Sequence, residues 1–277
     1  MANKSSVDGG IQEPSLRELA LFAGAGGGIL GGHLLGWRTV CAVEWEPYPA
    51  SVLVARQNDG ILPPFPIWDD VQTFVGKPWR GIVDVVSGGF PCQDISSAGG
   101  GAGITGSRSS MWKHMARIIG EVRPQYAFIE NSPMLTIRGL ETVLCDLAAL
   151  GFDARWGVVS AADVGAPHLR ERIWIVANNY SYSKSTQSIN AKQICKPNMA
   201  NTNSAYGKGN KCTKRGVKER ADTSKPLWWA SEPNVGRVAN GVAVRLDRLK
   251  VIGNGQVPLC AATAFKLLKE RLKCLRL

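Results

Sequence analysis

From Leu16 to Val176 the chain alternates short apolar runs with stretches of helical pattern, and an alternation of this kind has few ways to bury its apolar surface. The arrangement it predicts is an α/β sheet with helices on its faces. Candidate strands are Arg17–Phe22, Thr39–Val43, Ile82–Ser87, Tyr126–Glu130, Ala154–Ser160 and Ile173–Ala177. Helical stretches lie between them at Ala50–Gln57, Met111–Glu121 and Arg138–Leu150, the last stopped by Gly151, and a final helix is expected over Pro258–Leu272.

After Ala177 the pattern breaks. Residues 178–225 are rich in Asn, Ser, Thr, Lys and Gly, with too few large apolar side chains to make a core of their own. Between Asn178 and Arg237 eleven Lys and Arg face three acids, so this stretch carries +8 of the chain's +11. A basic block so concentrated is the electrostatic footprint of a polyanionic partner, although a solvated insert would look similar. The expected organisation is therefore an α/β domain over 1–177, a basic insert over 178–237, and a return to the first domain over 238–277. No apolar run reaches the ~20 residues needed to cross a bilayer. The first residues have no apolar signal core, and the seven cysteines form no C-x-x-C pair. Reduced thiols in a cytoplasm fit this usage, and no zinc ribbon is indicated.

Three short elements carry chemistry. The glycine turn Phe22-Ala-Gly24-Ala-Gly26-Gly27-Gly28 directly follows the first strand, where backbone N–H groups can approach a nucleotide-like ligand. Gly26, Gly28 and Gly31 satisfy G-x-G-x-x-G, and Glu44 ends the next strand, at a spacing that suits an acid holding ribose hydroxyls. This element alone does not separate a nicotinamide dinucleotide from S-adenosylmethionine. The second element is GGFPCQDISSAG at 88–99, which sets Cys92 at the end of a strand, before a loop of small residues from Ser96 to Ser110. A cysteine there can serve as a nucleophile if its surroundings favour the thiolate. The third comprises Phe128-Ile-Glu130-Asn131-Ser-Pro133, an acid at a strand's carboxyl end, and Pro167-His168-Leu-Arg170-Glu-Arg172-Ile173, whose alternation points Arg170 and Arg172 to one face.

In this order the elements resemble the DNA (cytosine-5)-methyltransferases, in particular the compact bacterial and phage type. The resemblance rests on ELALFAGAGGG, the acid of AVEWE, DDV at 69–71, GGFPCQDIS, IENSP, HLRERIWIV and GNGQVP at 253–258, and covers nearly everything outside the basic insert. One departure is His168, which stands where many members have Gln. The resemblance implies a Rossmann-like S-adenosylmethionine-dependent sheet with a small inserted target-recognition region. It implies that Cys92 attacks C6 of a flipped-out cytosine and that Glu130, oriented by Asn131, protonates N3, while Arg172 and Arg170 grip the base. It maps Phe22, Gly24 and Gly26 onto the cofactor loop, Glu44 onto the ribose acid, Trp45 onto a stacking position and Asp70 onto the adenine amino group. Pro91 would lie near the cofactor sulfur and Asn254 would close the pocket. S-adenosylhomocysteine would be the product and no metal is implied. Double-stranded DNA is the implied partner, a monomer the expected state, and a cognate restriction endonuclease a further partner to test.

Other readings stay open at this point. A transfer RNA cytosine-5 methyltransferase would use the same site. An idle DNA-binding regulator would keep the basic block without needing Cys92, Glu130 and Arg172. A nicotinamide oxidoreductase would use the glycine turn but leave the Pro-Cys-Gln and Glu-Asn elements unexplained.

Overall fold

The computed structural model describes residues 15–91, 111–180 and 242–273. Cys92, the loop from Ser96 to Ser110, and the basic insert beyond Tyr180, with Trp228 and Trp229, lie outside them.

Among the described residues seven strands form one sheet in the order β3-β2-β1-β4-β5-β7-β6. They are β1 (Arg17–Leu21), β2 (Arg38–Val43), β3 (Ile67–Trp68), β4 (Val85–Gly89), β5 (Tyr126–Asn131), β6 (Phe152–Ser160) and β7 (Glu171–Asn179). The first five pair in parallel, whereas β7 runs antiparallel to both β5 and β6. The helices are α1 (Gly27–Leu34), α2 (Pro47–Asn58), α3 (Met111–Val122), α4 (Leu135–Arg138), α5 (Leu140–Ala149), α6 (Val242–Asn254) and α7 (Pro258–Lys273). The α/β class expected from the alternation is the one observed, and the sheet is Rossmann-like, as the resemblance implies.

Both faces of the sheet are covered, as parallel strands require. On one face α3 and α5 bury Met115, Ile118, Ile119 and Leu147 against Leu19, Val86 and Ile129. On the other, α7 lays Phe265 and Leu268 over Trp37, Phe128 and Trp174, and each such side chain stabilises the fold by about 1.5–3 kcal/mol through its apolar area. The Phe265 ring meets Trp37 edge to face at 4.6 Å. α1 and α7 touch closely because Gly31 has no side chain: a Cβ there would stand 2.7 Å from that of Ala261.

The boundaries differ from the expected ones where local geometry intervenes. Ile82 and Val83 were expected to open a strand but lie in the turn after Trp79, their amides donating to its carbonyl at 3.0 and 3.1 Å. Asp84 then receives the Arg17 side chain at 2.8 Å, and the strand starts only at Val85. Gly139, with φ at +147°, separates the short α4 from α5, so the helix expected from Arg138 begins at Leu140. The stop at Gly151 is as expected, with φ at +81° just past the helix.

Candidate active site

The carboxyl ends of β1, β2, β3, β4 and β5 lie along one edge of the sheet, and the order reverses between β1 and β4. A crevice opens at such a switch point because the connections leaving the two strands go opposite ways. Here the crevice is lined by Phe22 and Gly24 from the turn after β1, Ser87 to Gly89 from β4, Glu130 from β5, and Asn254 to Gln256 from the end of α6. Its space, with the open mouth included, is about 380 Å³.

The turn after β1 is strained in a useful way. Phe22 has φ at +52°, and Gly24 and Gly26 have +54° and +85°. Phe22 thus ends β1 instead of extending it, and the chain reverses sharply into α1. Glu44, directly after β2, braces this turn: one carboxylate oxygen accepts the Gly24 N–H at 2.7 Å and the other the Glu46 N–H at 2.8 Å. Burial pushes the Glu44 carboxyl above its ordinary pKa, against the pull of those two amides. Trp45 beside it is 69% exposed. Asp70 follows β3, with its carboxylate accepting the Gln72 amide at 2.8 Å. Neither Trp45 nor Asp70 lines the crevice itself, but both occupy the same sheet edge next to Glu44, whose amide donates to the Trp68 carbonyl at 2.9 Å.

Glu130 is the buried acid of the crevice, 8% exposed. The Arg172 Nε meets its Oε1 at 2.9 Å, which the antiparallel register of β5 and β7 makes possible by setting Asn131 opposite Ile173. Burial raises the Glu130 pKa, while the Arg172 and Arg170 charges and a Gln256 hydrogen bond pull it back. An acid balanced in this way is suited to exchanging a proton with a ligand. Gly89 leaves the room it needs, since a Cβ there would stand 2.4 Å from Glu130 Oε2.

Asn131 and Arg170 each donate to backbone carbonyls. The Asn131 amide donates to the Phe90 carbonyl at 3.0 Å, so it fixes the chain leading into Pro91 instead of touching Glu130. Arg170 donates to the carbonyls of Gly253 and Gly255, both at 2.7 Å. It therefore holds the turn that carries Asn254, while its charge still acts on Glu130. His168 lies in the bend before β7. Gln256 was not singled out from the sequence, although it stands within GNGQVP, and its amide reaches Glu130 Oε2 at 3.3 Å. Only the return of α6 to the sheet edge reveals this.

The residues present fit S-adenosylmethionine. The glycine turn leaves open space above Gly24, where an added Cβ would meet no atom within 4 Å. The Glu44 carboxylate accepts the Gly24 amide, and the polar stretch from Asn254 to Gln256 lines the same crevice.

A family model described as C-5 cytosine-specific DNA methylase matches residues 16–236. The chain is 33% identical over 177 residues to the type II methyltransferase M2.BsuMI of Bacillus subtilis, covering 61% of this chain and 43% of that one. It is 32% identical over 169 residues to M.HhaI of Haemophilus parahaemolyticus, covering 60% and 50%. The chain thus spans about half the length, or less, of these curated relatives. A crystal structure of the S. pombe Dnmt2 methyltransferase superposes with a TM-score of 0.48 at 22% identity, covering 59% of this chain and 51% of that one.

Proposed function

Because the chain belongs to the C-5 cytosine-specific DNA methylase family, we propose that it transfers a methyl group from S-adenosylmethionine to C5 of a cytosine flipped out of duplex DNA. The observation that carries this reading is Glu130, a buried acid held by Arg172 in the same crevice as the glycine turn.

Cytosine C5 is a poor nucleophile. The addition of the Cys92 thiolate at C6 makes C5 an enamine carbon, and Glu130 supplies N3 with a proton as negative charge develops there. Arg172 keeps the carboxyl facing the base. The Asn131 bond to Phe90 fixes the chain end that leads into Pro91. Loss of the C5 proton and departure of the thiol then restore the aromatic ring. The cofactor supplies an electrophilic methyl group on a positive sulfur. Phe22, Gly24, Gly26, Glu44, Trp45, Asp70, Pro91 and Asn254 would hold it, Glu44 through ribose hydroxyls. A base within a duplex is out of reach of such a crevice, so flipping is part of the reading, at roughly a few kcal/mol of lost stacking.

The basic stretch 178–237 is read as the DNA-recognising part, which favours duplex DNA over transfer RNA. We read the protein as a cytoplasmic monomer, with a cognate restriction endonuclease as a partner to be sought. Among the described residues no helix is long and apolar enough to cross a membrane.

The test uses duplex DNA containing 5-fluorocytosine, from which no C5 proton can leave. With S-adenosylmethionine present the protein should form an adduct that survives denaturation, and Cys92→Ala should form none. An adduct formed equally by the variant would overturn the assignment of Cys92.

A further inference from the structure

We propose that Gln256 is a positioning residue for the reaction, its side-chain amide fixing the plane of the Glu130 carboxyl from the wall of the cofactor crevice. This rests on the reading of Glu130 as the acid that serves cytosine N3.

The geometry gives each oxygen of Glu130 its own donor. Arg172 Nε holds Oε1 at 2.9 Å and Gln256 Nε2 holds Oε2 at 3.3 Å. With one donor a carboxyl still swings about its last torsion, whereas with two on different oxygens its plane is set. The Gln256 side chain reaches this position only because two other residues lack side chains. A Cβ on Gly28 would stand 2.4 Å from Gln256 Oε1, and one on Gly89 would stand 3.0 Å from Nε2. The amide therefore lies between the glycine turn and the end of β4, in a slot that both glycines keep open. Its backbone is equally confined, since a Cβ on Gly27 would stand 2.2 Å from the Gln256 carbonyl oxygen.

The turn that carries Gln256 is itself anchored. Arg170 bonds the carbonyls of Gly253 and Gly255 at 2.7 Å each. The Gly255 N–H donates to the Val251 carbonyl at 2.8 Å. Farther along α6, Lys250 bonds both carboxylate oxygens of Glu46 at 2.6 and 2.7 Å. The two arginines thus act on the acid from two directions: Arg172 directly, and Arg170 through the turn that presents Gln256.

A neutral donor on a carboxyl oxygen favours the ionised form, so its loss raises the carboxyl's pKa. Gln256→Met keeps the length and packing of the side chain but donates nothing. Two measurements on the full chain decide the matter. In the first, the Glu130 side-chain carboxyl is followed by 13C NMR against pH, its resonance identified by its absence in Glu130→Gln. The midpoint should move up by about half a unit or more in Gln256→Met. An unmoved midpoint overturns the proposal, whether or not the chain methylates DNA. In the second, methyl transfer to unmethylated genomic DNA is measured at saturating cofactor, with S-adenosylhomocysteine binding followed by calorimetry. The expected result is kcat lower by about tenfold with the dissociation constant within about threefold of the wild type. Weakened binding with kcat unchanged would make Gln256 a wall of the cofactor crevice only, and would overturn the positioning role. If the wild-type chain transfers no methyl group to cytosine, the functional reading fails, and the titration still decides Gln256.

Discussion

Glu18 is a carboxyl group inside the sheet, 0% exposed, on the strand that leads into the glycine turn. Its two oxygens accept the Ser87 hydroxyl at 2.6 Å and the Thr39 hydroxyl at 2.8 Å, so it ties β1 to both of its neighbours. Burial raises its pKa to about 7 from the ordinary 4.5, and the two hydroxyls offset only part of that shift. The folded state therefore prefers the proton more strongly than the unfolded chain does. The resulting stability is complete below about 4.5 and is lost as the pH rises to about 7. Gln at this position carries no charge to desolvate and can still bond both hydroxyls. Urea unfolding at pH 5 and pH 8 should show the wild type losing on the order of 2–3 kcal/mol across that interval, beyond any loss in Glu18→Gln. Equal pH dependence in the two proteins would mean that the carboxyl is not the group that titrates. Nothing in the spelling of ELALF announces this residue: a Glu in a strand reads as solvent-facing until the pairing with β2 and β4 covers it.

At the scale of elements, the turn between β1 and α1 keeps its shape through a carboxylate from the next strand. Glu44 accepts amides from Gly24 and Glu46, and these bonds fix the Gly24 end of the turn and the start of α2 together. Glu44→Ala should weaken S-adenosylmethionine binding by about 1–3 kcal/mol, or roughly 5–150-fold, through loss of the brace and of the proposed ribose contact. Titration calorimetry measures this directly, and tight binding of a nicotinamide dinucleotide instead would remove the premise. Much of this element was legible in the sequence, because a strand, a glycine turn and an acid eighteen residues beyond Gly26 form a local pattern. The strands β1, β2, β5, β6 and β7 were legible for the same reason, each being an apolar run with a clear end. The helix α1 was not, since its glycines argue against a helix until α7 packs on them through Gly31. The two-residue β3 is too short to leave a period, and α6 adjoins a stretch whose polar composition masks its start. The pairing of Gln256 with Glu130 was illegible for a different reason: residues 130 and 256 meet only through the topology, and no local spacing encodes the distance between them.

At the scale of the molecule, the charge is as unevenly placed as the chemistry. Stretch 178–237 holds +8 of the net +11, and replacing Lys211, Lys214 and Arg215 with neutral residues should weaken binding to every duplex alike. The slope of log affinity against log salt should fall by about 0.9 for each phosphate that is no longer neutralised. Methyl transfer at saturating DNA should persist, because none of the three is among the residues proposed for the chemistry. Unchanged affinity and slope would mark the block as a solvated linker and shift the search for recognition toward Trp228 and Trp229. The described strands are all in place by Asn179, yet the crevice still lacks Asn254 and Gln256, and the face that Phe265 and Leu268 cover is still bare. A ribosome therefore releases the seven described strands well before it releases this wall of the crevice. A product stalled in between would hold Glu130 without its second donor and leave Trp37 and Phe128 without the helix that covers them.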